Sequence, residues 1–363
     1  MTAMEAKGTG NYQDAPTAGD GLRNESKSFT PANRRIPSLD GLRTISIVLV
    51  LLGHLYGTAH YPKNALTFFL ARYAHLGVQI FFGISGFLIT TLLLNERRKT
   101  GRIDFYAFYL RRTRRIFPAA FFYITVMAIV ARPGYLGWAY SYTMCYAGQG
   151  RPWLLGHLWS LSVEEQFYLL WPFVLAFGFF RKEKIGFAAM LLTPFARLIF
   201  WRAGMRDIDE YFPAVADSLV AGCLLAFYRP VLQVKARWLT QPLVFLALGA
   251  LTASIPWMLP RVRMQIFLGG LPSVVIALFI FAAIERRDWL LNNRVTYALG
   301  VLSYSLYLWQ QPFLNHASNR WWTAFPVNIL LALACAIGSY YVVERPFLRM
   351  SHAPRVREAA GVA

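Results

Sequence analysis

The chain has 363 residues, 56% of them hydrophobic and 16% aromatic, with only 15% charged, and a mean hydropathy of +0.38. That composition excludes a pair of soluble domains and describes a membrane protein. The formal net charge of +19 is spread by membrane topology, with no zinc spacing or RNA-binding motif beside it, so nucleic acid is not an expected partner.

Residues 1–33 are rich in Gly, Ser, Thr and Asn with almost no aliphatics, which predicts a disordered tail. The first apolar segment begins near residue 44, too far in for a cleaved signal peptide. Ten apolar segments of roughly spanning length follow, near 42–58, 76–94, 116–132, 157–180, 185–201, 212–228, 241–259, 264–284, 297–314 and 324–343. The fold class expected is therefore all-α and polytopic, with about ten transmembrane helices. With the N-terminus inside, the cytoplasmic segments hold 26 Lys and Arg, the outside loops nine, and Arg43 and Arg197 lie within spans. The positive-inside rule then places both termini in the cytoplasm, and the localisation expected is a bacterial cytoplasmic (inner) membrane. Cys223 and Cys335 fall within spans and Cys145 is alone outside, so no disulfide framework is expected. No internal repeat is visible, which weakens an inverted-repeat transporter reading.

The first segment carries Arg43 and His54, eleven residues apart in an otherwise apolar stretch. That is close to three helical turns, so both project from one face, separated by about 16 Å. Ionisable groups inside a span are functional candidates by default; the bland alternatives are a snorkelling Arg43 and a His54 satisfied by a neighbouring helix. His54 and His60 do not share a helix face, and no metal site is expected. In the second segment Gly77, Gly83 and Gly86 allow close helix approach. Ser85 there sits in GISG, which is no nucleophile elbow because no strand precedes it.

The run FYLRRTRRIFP at 108–118 enters the third segment with Arg111, Arg112 and Arg115. Arg111 and Arg115 are i and i+4 and share a helix face, with Arg112 beside it, a grouping suited to phosphate. The positive-inside bias alone also explains charge at this place. The stretch HLWSLSVEEQFY at 157–168 brings Glu164, Glu165 and Tyr168. Glu164 lies about 10 Å along a helix from His157, a depth comparable to His54, so its carboxylate is expected to orient the imidazole as a general base on an alcohol. The alternative is an interfacial helix start with both glutamates in headgroup water. Asp217 is a buried acid expected to pair with Arg or His. GVLSYSLYLWQQP at 300–312 is a span studded with hydroxyls. Glu344 closes the last segment, where Arg345 or Arg349 is expected to pair with it.

Taken together these patterns resemble one family, the membrane acyltransferases called acyltransferase family 3. IPSLDGLR followed by His54 matches its Arg-x10-His signature. GVQIFFGISGF, FYxRRxxRIxP, WSLSVEEQFY, DSLxxG and the closing ExP match in family order, over about residues 34–347, which the resemblance makes the membrane acyltransferase domain between two cytoplasmic tails, 1–33 and 348–363. The resemblance implies transfer of an acyl group, usually acetyl, from cytoplasmic acyl-CoA to a hydroxyl of a carbohydrate or related glycoside, in a membrane-lipid setting. His54 would be catalytic, Arg43 with Arg111, Arg112 and Arg115 would handle acetyl-CoA, and Glu164 would support His54. Glu165, Tyr168, Ser85, Asp217 and Glu344 are supporting candidates. One departure is Gln310, where family members commonly have histidine. The chain stops about 20 residues after the tenth segment, which predicts a stand-alone membrane module. The competing class is a multi-span transporter or flippase of an anionic lipid or glycan, with Arg and His lining its path. The pattern fixes no oligomeric state.

Overall fold

The computed structural model describes residues 36–177, 182–258, 262–286 and 288–352. The expected N-terminal tail lies outside these residues, as does the C-terminal tail beyond His352. Among the described residues every regular element is helical.

Helices α1 (Pro37–Leu55), α2 (Ala65–Ala71), α3 (Ala74–Thr100) and α4 (Phe105–Val130) open the bundle. Pro37 starts α1 at its first turn, where the missing N–H costs nothing. Asn64 and Thr67 form a capping box on α2, and the Asp104 carboxylate caps α4 by accepting from the Ala107 N–H at 2.9 Å. Short α5 (Leu136–Tyr140) and α6 (Trp153–Gly156) lead into α7 (Leu158–Phe177), followed by α8 (Lys182–Arg202), α9 (Phe212–Lys235) and α10 (Pro242–Met258). The segment expected at 264–284 is two helices, α11 (Val262–Leu268) and α12 (Leu271–Arg286). Gly269 breaks it with φ of +56° ahead of Gly270, a conformation that ends a helix cheaply only at glycine. Then come α13 (Arg294–Trp309), α14 (Val327–Ser339), a π-turn at Tyr340–Glu344 and α15 (Arg345–His352). The last helix therefore carries through residues 348–352, which the sequence places in the tail.

Six helical stretches among the described residues are long and apolar enough to cross a membrane: Pro37–Leu55, Ala65–Thr100, Phe105–Val130, Glu183–Arg202, Phe212–Lys235 and Val327–Met350. Each of the other expected segments also carries helix, but α10, α12 and α13 are only 16 or 17 residues long. In α7 the polar run Ser160 to Gln166 dilutes its apolarity.

Close backbone approach holds the site helices together. A Cβ on Gly86 would run into the backbone of Leu219, so α3 and α9 cross at a distance only glycine allows. Gly300 meets the backbone of Asp40 in the same way and draws α13 against α1. One large apolar core, including Ile47, Val78, Phe82, Ile116, Tyr123 and Leu308, surrounds the helices that carry the polar residues described next.

Candidate functional site

Helix α4 shows how the arginines divide. Its buried stripe is Phe108, Ile116, Ala119 and Tyr123. At 100° per residue that stripe centres on Arg112, leaves Arg115 on its flank and turns Arg111 towards its edge. Accordingly Arg112 and Arg115 line a cavity of about 100 Å³ together with Arg43, Ser85, Glu164 and Tyr168. Arg111 is instead half exposed and pairs with Glu96 at 3.0 Å. The expected three-arginine cluster is thus two arginines of α4 and one of α1.

Within this inner chamber Glu164 accepts from the hydroxyls of Ser85 and Tyr168, the latter at 3.1 Å. The Arg112 guanidinium lies over the Tyr168 ring, 5.2 Å from its centroid, a cation–π contact. Arg43 donates to Asp40 at 3.1 Å, one turn back on α1. Asp40 is a residue the sequence reading passed over, although its i, i+3 spacing from Arg43 is a readable signal.

His54 lies in a second, outer chamber of about 360 Å³, with His75, His157, Arg151, Trp153, Trp159, Glu210 and Gln311 on its walls. Val78 and Tyr307 line both chambers and form their common wall. The Tyr307 hydroxyl is held by donation to the His157 carbonyl at 2.8 Å. The His54 ring stands edge-on to Trp153, with centroids 5.4 Å apart. Both imidazole nitrogens of His157 are buried without a hydrogen-bond partner among the described residues.

The expected pairing of Glu164 with His54 is corrected by this geometry. The two are not at one depth: His54 is in the last turn of α1, whereas Glu164 is almost two turns into α7, where Ser85 and Tyr168 engage it in the inner chamber. His54 Nδ1 bonds Gln310 Oε1 at 2.8 Å. The residue that departs from the family pattern is therefore the direct partner of His54. Sequence reading missed this because the two are 256 positions apart and glutamine at a helix end carries no catalytic signal. The hydroxyls of 300–312 do reach the site, since Ser303, Tyr304 and Tyr307 line the inner chamber.

The remaining candidates lie apart. Glu165 stays out of both chambers, with its Oε1 buried and without a hydrogen-bond partner among the described residues. Asp217 pairs with Arg197 at 2.8 Å, and Arg197 also donates to the carbonyls of Ala214, Gln265 and Gly269. Those four bonds engage all three guanidinium nitrogens and tie α8 to α9 and to the break after α11. Glu344 accepts from Ser305 at 2.8 Å rather than pairing with Arg345 or Arg349. The π-turn ending at Glu344 rotates the carboxylate inward, and Arg345 turns onto the Tyr341 ring. Among the described residues no group of three or more His, Cys, Asp or Glu is placed to hold a metal ion.

Comparison with known proteins gives one family: the acyltransferase domain model of family 3 matches residues 36–344. The chain is 28% identical to "O-acetyltransferase OatA" of Staphylococcus aureus, over 88% of its own length and 58% of that protein. It is 27% identical to "Putative peptidoglycan O-acetyltransferase YrhL" of Bacillus subtilis, over 87% of its length and 55% of that protein. A "Putative O-acetyltransferase SACOL0978" of Staphylococcus aureus is 28% identical over 89% of the chain and 59% of that protein. The chain thus spans less than two thirds of these relatives. No solved structure matches it.

Proposed function

This chain belongs to the family 3 acyltransferases, and on that premise we propose that it moves an acetyl group from acetyl-CoA to a hydroxyl of a cell-envelope carbohydrate across a bacterial inner membrane. The observation that carries the reading is the pair of chambers sharing the wall of Val78 and Tyr307, one lined by arginines and the other by His54.

The two chambers differ in charge as donor and acceptor differ. The inner one gathers Arg43, Arg112 and Arg115 around a single carboxylate, Glu164, and suits the phosphates of coenzyme A entering from the cytoplasm. In the outer one Arg151 is engaged by the carboxyl of Glu210, while Trp153 and Trp159 add apolar lining. That combination suits a neutral hydroxylated ring, consistent with the peptidoglycan in the name of the Bacillus subtilis relative. Arg43 and His54 are eleven residues apart on α1, about 16 Å along its axis, a span that an extended pantetheine arm covers. The arm passes between Val78 and Tyr307, which line both chambers, so that the thioester reaches His54 without the donor crossing the bilayer.

His54 Nε2 takes the proton of the acceptor hydroxyl as its oxygen attacks the thioester carbonyl. The C–S bond breaks, the thiolate leaves, and the imidazolium returns the proton to it as coenzyme A thiol. In this reading Glu164 works on the donor side, holding Tyr168 beneath Arg112. Ten spanning segments with both termini inside complete the topology.

The test is release of coenzyme A thiol from acetyl-CoA by purified protein in nanodiscs with cell-envelope glycan, wild type beside His54→Ala. Thiol release lost in a folded His54→Ala variant supports the scheme. Full turnover in that variant sinks it.

A further inference from the structure

The hydrogen bonds behind His54 run in one direction only. Trp153 C=O can only accept, and Gln311 Nε2 donates to it at 2.7 Å. The Trp153 indole N–H donates back to the Gln311 carbonyl at 2.7 Å, which pins α6 to the turn after α13. With its NH2 committed, Gln311 presents Oε1, and Gln310 Nε2 donates to that oxygen at 3.3 Å. With its own NH2 committed in turn, Gln310 presents Oε1 to His54 Nδ1 at 2.8 Å. Turning either amide over would set two carbonyl oxygens, or two NH2 groups, against each other. Both side chains are buried, Gln310 at 0% and Gln311 at 3% exposure, so water cannot substitute for a lost partner.

We propose that Gln310 and Gln311 form an amide relay from the Trp153 carbonyl that fixes His54 as its Nδ1–H tautomer, leaving the Nε2 lone pair bare in the outer chamber. Gln310 and Gln311 are positioning residues: neither touches the transferred group, and both act through the imidazole. A ring nitrogen serves as a base only when it carries no proton, and the partner of the other nitrogen decides which one that is. A glutamine does this without adding charge to the chamber, so the imidazolium formed during transfer is not trapped by a neighbouring carboxylate. The relay rests on His54 being the base of the proposed reaction only for its purpose; its existence is tested without turnover.

The experiment is 15N NMR of [15N-imidazole]histidine-labelled full-length protein in nanodiscs at pH 8.5, with the His54 signals identified by their loss in His54→Asn. Wild type is expected to show a protonated Nδ1 and a bare Nε2. Gln310→Met, of similar volume but without the acceptor, is expected to release the ring to a mixture with the Nε2–H form, and Gln311→Met to do the same at one residue's remove. Gln310→Glu, which still accepts, is expected to keep the wild-type pattern. In the transfer assay Gln310→Met is expected to lower kcat by about tenfold or more with the KM for acetyl-CoA unchanged. A wild-type ring protonated at Nε2, or a mixed ring in wild type, overturns the relay. So does a Gln311→Met protein that keeps a pure Nδ1–H ring, because Gln310 would then orient the ring unaided. An intact relay in a protein without acyl transfer would overturn the proposed function alone.

Discussion

The guanidinium of Arg112 lies 5.2 Å from the ring centroid of Tyr168, whose hydroxyl donates to Glu164 at 3.1 Å. One aromatic ring thus separates a cation from a carboxylate that would otherwise neutralise it. Arg112 also lines the chamber beside Glu164, so it contributes both to the ring contact and to the chamber wall.

Replacing Arg112 by Gln is therefore expected to raise the KM for acetyl-CoA by about tenfold to hundredfold, the loss of one charged hydrogen bond of about 1.5–3 kcal/mol. Arg111→Gln removes the same formal charge one residue away but breaks only a half-exposed pair with Glu96, and is expected to change KM less than twofold. Steady-state kinetics of the two variants side by side check this. Equal effects would return Arg111 to the donor site.

His54→Ala is expected to bind acetyl-CoA as wild type does while losing a factor of about 10² to 10⁴ in turnover, the usual contribution of a general base. Donor binding is read by calorimetry and turnover by thiol release. Parallel loss of both would place His54 in donor binding.

Arg197 and Asp217 form a buried pair at 2.8 Å, at 9% and 2% side-chain exposure. Removing one partner strands a charge, so Asp217→Ala is expected to destabilise the protein by about 3–5 kcal/mol. The double change Arg197→Met with Asp217→Leu is expected to recover much of that loss. The denaturation midpoint in detergent measures both, with acetyl-CoA KM unchanged in whatever remains folded.

Glu210 lies in the turn before α9, outside the spans, and burial pushes its carboxyl up to about 7 despite the opposing effect of Arg151. Between its ordinary value of 4.5 and about 7 the folded chain holds a proton that the unfolded chain has lost. The contribution of this group to stability is full below the lower value and falls as pH rises through the upper one. Glu210→Gln is expected to flatten the slope of the thermal midpoint between pH 5 and 8. An unchanged slope would show that Arg151 keeps Glu210 ionised across that range.

Much of this protein is legible along its chain because the relevant forces act locally. Apolar length marks the helices, since a backbone in hydrocarbon must satisfy its own hydrogen bonds. Arg43 and His54 stand out because charge within such a helix is costly, and Arg112 can be placed from the stripe of Phe108, Ile116 and Tyr123 alone. The break at Gly269 is also local, yet it reads as continuous span when apolarity is averaged over a window.

Which polar residues share a chamber is decided by helix packing, not by depth along the chain. His54 stands in the last turn of α1 and Glu164 well inside α7, and they line different chambers that share Val78 and Tyr307. Gly300 lets α13 close on α1 at Asp40, and ten residues further along the chain Gln310 meets His54. The sequence by itself determined a helical membrane protein with a cation and an imidazole on one helix face. The tertiary structure decided the partners of each, because a hydrogen bond depends on distances of a few tenths of an ångström between helices far apart in the chain.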